Sequence, residues 1–204
     1  MLPNQNIAPR NITVAVTGAS GSIFAKHLLD SLDRDDRVGT VNLIFSDSGL
    51  RVMAEELEVS GRADVVSKLL GRTSPKIHQQ NNSDIGANVA SGSYPTHAMI
   101  ILPCSVGTLA RIANGTADQL IERAADVCLK ERRPLVLCVR ETPLNRIHLR
   151  NMMLAAEAGA CIFPVIPAFY FRPASTDEIA REYVNRVLAH VGLPQAGAFQ
   201  WKSD

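Results

Sequence analysis

A three-layer α/β domain, with a mostly parallel, doubly wound sheet covered by helices on both faces, follows from three features of the sequence. Short, almost unbroken apolar runs recur along the chain, as strands buried on both faces require. Segments with helical spacing of apolar residues alternate with them. No internal repeat or linker divides the 204 residues, a length that suits one domain with a proper core.

The elements follow in order. The first strand is NITVAVTG (11–18), ended by glycine, and SIFAKHLLDSL (22–32) carries Ile23, Phe24, His27 and Leu28 at helical spacing. TVNLIFS (40–46) is a second strand and GLRVMAEELE (49–58) a second helix. Residues 60–96 are the least regular part, polar and glycine-rich, and read as an insertion or a lid. HAMIILP (97–103) is the third strand, followed by a short helix ending at Gly115. ADQLIERAADVCLKERR (117–133) is a helix with an apolar stripe and a basic end, which its dipole favours. PLVLCV (134–139) is the fourth strand, LNRIHLRNMMLAAEAG a helix, and ACIFPVI (160–166) the fifth strand. STDEIAREYVNRVLAHVG (175–192) closes the domain, with Ser175 and Glu178 spaced as a capping box. Residues 1–10 read as a disordered lead-in without the apolar core of a signal peptide, 11–192 as the domain, and 193–204 as a tail. The whole is Rossmann/flavodoxin-like.

Bulk properties exclude several classes. A formal net charge of +1 gives no general attraction to nucleic acid or a membrane surface. No apolar run reaches the roughly 18 residues of a membrane span. Cys104, Cys128, Cys138 and Cys161 lie in or beside apolar segments without C-x-x-C spacing. They read as small buried hydrophobes of a cytoplasmic protein rather than a disulfide framework. The five histidines are scattered, so no metal is expected.

In such a sheet, ligands bind beyond the carboxyl ends of the strands, near the point where strand order reverses. The first strand ends in TGASGS, where Gly18 and Gly21 permit a tight turn and Ser20 adds a hydroxyl ahead of a helix N-terminus. That suits a phosphate, although a plain strand-to-helix turn looks the same. The second strand ends at Ser46. The third ends in PCSVGTLAR, with Ser105, Gly107 and Thr108 opening a helix. Arg123 reads equally as a phosphate cap or as a solvated helix arginine. The fourth ends in Arg140-Glu141, charges that face a ligand if this end opens onto the cleft and form a surface ion pair otherwise. Tyr170, in PAFYFRP, is an aromatic platform or a packing residue. The pattern suits a mononucleotide such as FMN and by itself names no reaction.

The segments VTGASGS, ILPCSVGTLARIANG, LIERAADVCLKERRPLVLCVRETPLNRIHLRNM and PAFYFRP resemble the flavin prenyltransferase family of the UbiX/Pad1 type, over roughly residues 11–201. The central segment is highly specific; the glycine loop alone is not. The resemblance implies transfer of a dimethylallyl group from dimethylallyl monophosphate to N5 and C6 of reduced FMN. The product, prenylated FMN, serves a UbiD-type decarboxylase. It further implies a metal-independent enzyme, assembled as a dodecamer of trimers with active sites between subunits. Carried over by position, Gly18, Ala19, Ser20, Ser46, Ser105, Thr108 and Arg123 hold FMN, with Ser20 near the reacting end as a catalytic residue. Glu55, Lys130, Arg140, Tyr170 and Arg186 bind or act on the allylic phosphate, and Glu141 manages protons during ring closure. Trp201 closes over the site. Asn145, Arg150, Ala168 and Arg172 depart from the usual pattern without removing a catalytic group. Two other readings stay open: an FMN-dependent decarboxylase of cysteine-ended substrates, for which His97 is a weak substitute for a catalytic histidine, and a non-catalytic flavin-binding protein.

Overall fold

In a computed structural model, which describes residues 9–59, 61 and 63–201, six parallel strands form one sheet. They are β1 (Arg10–Val16), β2 (Val38–Phe45), β3 (Ile77–Asn81), β4 (Thr96–Cys104), β5 (Leu135–Val139) and β6 (Cys161–Ile162). The helices are α1 (Ser22–Arg34), α2 (Asp47–Leu57), α3 (Val65–Leu70), α4 (Val106–Ala113), α5 (Leu120–Lys130), α6 (Arg146–Glu157) and α7 (Thr176–His190). Strand order is β3-β2-β1-β4-β5-β6. The chain winds outward from β1 to β3, then starts again at β4 on the other side of β1. The reversal therefore lies between the ends of β1 and β4, where a doubly wound sheet opens its ligand crevice.

Two apolar layers sandwich the sheet. Leu28, Leu29 and Leu32 of α1, Met53 of α2, Val65 of α3 and Val184, Val187 and Leu188 of α7 cover one face. Leu109 and Ile112 of α4, Leu120, Ile121, Ala124 and Cys128 of α5 and Ala155 of α6 cover the other. Both layers consist of fully or nearly fully buried side chains, which explains why the strands read as unbroken apolar runs. Cys104, Cys128 and Cys138 are buried within these layers and Cys161 partly so; all four are free thiols.

Several details differ from the sequence reading. β1 starts at Arg10, inside the stretch read as lead-in, because the Arg10 amide bonds the Arg37 carbonyl and its guanidinium binds the Gly192 carbonyl at 2.7 Å. The remaining lead-in, residues 1–8, lies outside the described residues, as do 202–204 of the tail. The irregular 60–96 stretch contains α3 and the edge strand β3, which the sequence reading missed. The fifth predicted strand shrinks to two residues. The capping box of α7 is half formed: the Ser175 hydroxyl accepts from the Glu178 amide, but the Glu178 carboxylate accepts from Ala174 rather than from Ser175. A full reciprocal box, Asn145 with His148, caps α6 instead.

Candidate active site

The carboxyl ends of β2, β1, β4 and β5 are laced together in sequence across the sheet. The Ser46 amide bonds the Val16 carbonyl at 3.0 Å. Thr17, 1% exposed, donates its hydroxyl to the Pro103 carbonyl at 2.9 Å and accepts the Ser105 amide at 2.8 Å. The Arg140 amide bonds the Cys104 carbonyl at 3.1 Å. Four of the loops read from the sequence, at Gly18–Ser20, Ser46, Ser105–Thr108 and Arg140-Glu141, thus stand side by side on one edge. Thr17 joins the two loops that flank the reversal of strand order. Nothing in its residue type marked it as that brace.

Three helix N-termini open onto this edge. Ser46 caps α2 by accepting the Gly49 amide at 2.9 Å, and Ser105 caps α4 by accepting the Thr108 amide at 3.3 Å. Among the described residues, Val106 and Gly107 keep amides without a protein acceptor, as the first turn of a helix leaves them. α1 starts after Gly21, whose φ of 122° suits glycine alone. A Cβ on Gly18 would run into the Ser48 side chain, so the loop packs against α2 only as glycine. Free amides and aligned helix dipoles favour an anionic group, so the residues present fit the phosphate of a mononucleotide.

The α1 terminus has a protein anion of its own. Glu56 of α2 accepts the Gly21 amide at 3.0 Å and the Ser22 amide at 2.7 Å, and it bonds the Ser20 side chain. Desolvation against the loop pushes its carboxyl pKa up, but the Ser20, Ser22 and Gly21 hydrogen bonds together outweigh it and hold the pKa below the ordinary carboxylate value. Glu55 was the residue expected at the allylic phosphate. Glu55 points to solvent and pairs with Arg51 at 3.0 Å, while Glu56 reaches the loop. The signal was present in the periodicity: Gly49 and Met53 are the buried face of α2, and Glu56 follows Met53 at i+3 on that face.

Comparison with known proteins decides the family. Residues 2–181 match the family described as Flavoprotein. Flavin prenyltransferase UbiX of Salmonella typhimurium is 45% identical over 190 residues, 91% of this chain and 93% of the relative. The chain belongs to the flavin prenyltransferase family. Solved structures similar to this flavin prenyltransferase include AnUbiX (PadA1) in complex with FMN and dimethylallyl pyrophosphate, with a TM-score of 0.87, 39% identity and coverage of 97% and 100% of the two chains. The dodecameric FMN-dependent UbiX-like decarboxylase from Escherichia coli O157:H7 follows at 0.85, 38%, 95% and 100%. The peptidyl-cysteine decarboxylase EpiD, at 17% identity and a TM-score of 0.55, shares the fold alone.

The remaining residues expected from the family resemblance lie on several elements. Tyr170, in the loop that follows the edge strand β6, lines a cavity of ≈ 450 Å³ with Arg186 and Trp201. Tyr170 and Trp201 meet edge-to-face with ring centroids 5.0 Å apart, and both are more than 60% exposed. Arg186 stacks on the Phe163 ring at 5.9 Å and forms no ion pair among the described residues. Arg123 and Lys130 lie two turns apart on α5. Arg123 binds Asp126 at 2.7 Å and the Ala90 carbonyl at 3.2 Å, and Lys130 pairs with Glu131. α5 ends where β5 begins, so Lys130 sits toward the amino edge of the sheet and Arg140 at the carboxyl edge. The Arg140 side chain is exposed and Glu141 half-exposed, with its carboxylate accepting the Thr142 amide at 2.9 Å. The pair is therefore available to a ligand at the strand end.

His97 is the second residue of β4, at the amino edge, remote from the strand ends where a flavin-site histidine would act. Among the described residues, no group of three or more His, Cys, Asp or Glu side chains is placed to hold a metal ion, and no helix is long and apolar enough to cross a membrane.

Proposed function

We propose that this protein transfers a dimethylallyl group from a dimethylallyl phosphate, the monophosphate being the donor, to reduced FMN, forming bonds at flavin N5 and C6. The observation that carries this reading is the likeness, along nearly the entire chain, to proteins named flavin prenyltransferase. The free amides at α4 and the dipoles at the reversal point suit the FMN phosphate. Ser46, Ser105 and Thr108 line that edge, with the Gly18–Ser20 loop held by Glu56.

The donor needs cations about its phosphate, because negative charge grows on the leaving oxygen as the allylic C–O bond breaks. Arg140, Lys130 and Arg186, with the Tyr170 hydroxyl, are the groups for this task. Arg123, placed with FMN from the sequence, shares the α5 surface with Lys130. The electron pair of the broken bond leaves with the phosphate. Glu141, at the end of β5, is positioned to take the proton lost from C6 during ring closure.

These groups sit on separate elements of one chain: the laced loops, α5, and α7 with the loop after β6. A site between subunits resolves this. The apolar side chains exposed on and near α6, Leu144, Ile147 and Met153, with Ile166 and Phe169, give copies of the chain a surface on which to meet. A dodecamer of trimers is the assembly this reading adopts. The prenylated flavin then passes to a UbiD-type decarboxylase, and the cytoplasm is the compartment for both.

Phosphate release tests the reading. Anaerobic protein with dimethylallyl monophosphate should release inorganic phosphate only when reduced FMN is present. Carbon dioxide release from cysteine-ended acids, with no phosphate release, would replace this reading by the decarboxylase one.

A further inference from the structure

Glu182 sits one helical turn before Arg186 on α7, and both line the cavity beyond β6. At that spacing a glutamate and an arginine ordinarily pair, yet these two form no ion pair among the described residues. The Glu182 carboxylate is held elsewhere. Its Oε1 accepts the backbone amide of Phe199 at 3.2 Å, and its Oε2 accepts the Asn185 side-chain amide at 3.1 Å. Asn185 is 9% exposed, so it is a fixed partner.

The Phe199 bond reaches the C-terminal tail. Phe199 packs against Phe171 at 6.2 Å and Trp201 at 6.5 Å, and Trp201 meets Tyr170 at 5.0 Å. Between Leu193 and Trp201 the tail forms no helix or strand that would hold it down. Its other hydrogen bonds to the body run through Pro194 and Gln195, well before the aromatic residues.

The geometry points to Glu182 as a positioning residue for prenyl transfer, a latch that holds Phe199 and Trp201 over Tyr170 while leaving Arg186 free for the donor phosphate. The part that concerns the donor rests on the proposed function. With both oxygens occupied, the carboxylate does not swing onto Arg186 and neutralise the cation that must meet an anionic substrate. The aromatic ladder it secures forms the apolar wall of the same cavity. One carboxylate therefore sets both the wall for an allyl chain and the availability of the charge beneath it.

Trp201 is the only tryptophan in the chain, so its fluorescence reports the tail directly. The full-length assembled protein, flavin-free, is measured by anisotropy and acrylamide quenching as wild type, E182A and E182Q. E182A should lower the anisotropy and raise quenching. E182Q keeps a carbonyl acceptor for the Phe199 amide and should stay near wild type. In steady-state assays with dimethylallyl monophosphate, E182A should raise the donor KM by about tenfold, the size expected for losing one hydrogen bond to a charged group, with FMN affinity retained. Unchanged Trp201 fluorescence in E182A, or E182Q as loose as E182A, overturns the latch. A loosened tail with an unchanged donor KM overturns its positioning role. A wild-type protein that fails to prenylate FMN fails the proposed function, while the fluorescence comparison still decides the latch.

Discussion

Lys130 and Arg140 belong to opposite edges of the sheet. Lys130 ends α5 just before β5 starts, and Arg140 follows the last residue of that strand. Five residues of extended chain span about 16 Å, so the two side chains of one chain start from well-separated points. The proposed site between subunits draws them from different copies. K130A and R140A, each nearly inactive alone, should then regain activity when co-assembled in mixed oligomers. With random mixing, about a quarter of two-subunit sites would have both residues intact. Activity no higher than the sum of the separate variants would refute the shared site.

Glu56 makes a different prediction, because it acts inside one chain. E56A removes the acceptor that orders Gly21 and Ser22, so FMN affinity should fall by about tenfold, in line with a charge-assisted hydrogen bond. Titration of the flavin signal measures this, and E55A should leave it unchanged, since Glu55 faces solvent beside Arg51. The sign of the pH effect follows from the depressed pKa. The folded protein holds this carboxylate ionised more readily than the unfolded chain does, so its contribution is complete above the ordinary value of 4.5. It is lost as pH falls through the folded value. In E56Q that part of the acid sensitivity should disappear.

The proposed function gives Glu141 a proton to move rather than the flavin to hold. E141Q should slow prenylated FMN formation, by the 10²–10⁴ typical of losing a positioned base, with FMN binding retained. Single-turnover flavin spectra under anaerobic conditions separate the two effects. Equal rates in E141Q and wild type would remove the assigned role.

Tyr183 anchors α7, which lends Glu182 and Arg186 to the cavity beside Tyr170. It is 3% exposed, donates to the Phe163 carbonyl at 2.9 Å and stacks edge-on with Phe24 and Phe163. Burial pushes its phenol pKa well above the usual range, so it stays a donor at any working pH. Y183F should cost about 1–2 kcal/mol of stability through the carbonyl left without a partner, measured by denaturant unfolding.

The parts of this molecule that the sequence disclosed share a physical cause. β1, β2, β4 and β5 are buried on both faces, so their apolar runs were plain, as was the glycine or serine that follows β1, β2 and β4. β3, IHQQN, was not: at the sheet edge only Ile77 is buried, and its polar residues resemble loop. Glu56 was missed for a residue-level reason, since two adjacent glutamates differ only in helix face. Arg186 was singled out solely through family likeness, because an arginine on an amphipathic helix ordinarily reads as solvated surface. The tail's hold on Phe199 was not legible at all, since a backbone amide carries no sequence signature.

The most direct test of the account is the mass of the flavin after turnover. Purified protein is incubated anaerobically with reduced FMN and dimethylallyl monophosphate, and the extracted flavin is weighed by mass spectrometry, with the diphosphate as a parallel donor. The account predicts a gain of one dimethylallyl unit, with the monophosphate as the working donor. Unmodified FMN, recovered from folded protein that binds flavin, would contradict it.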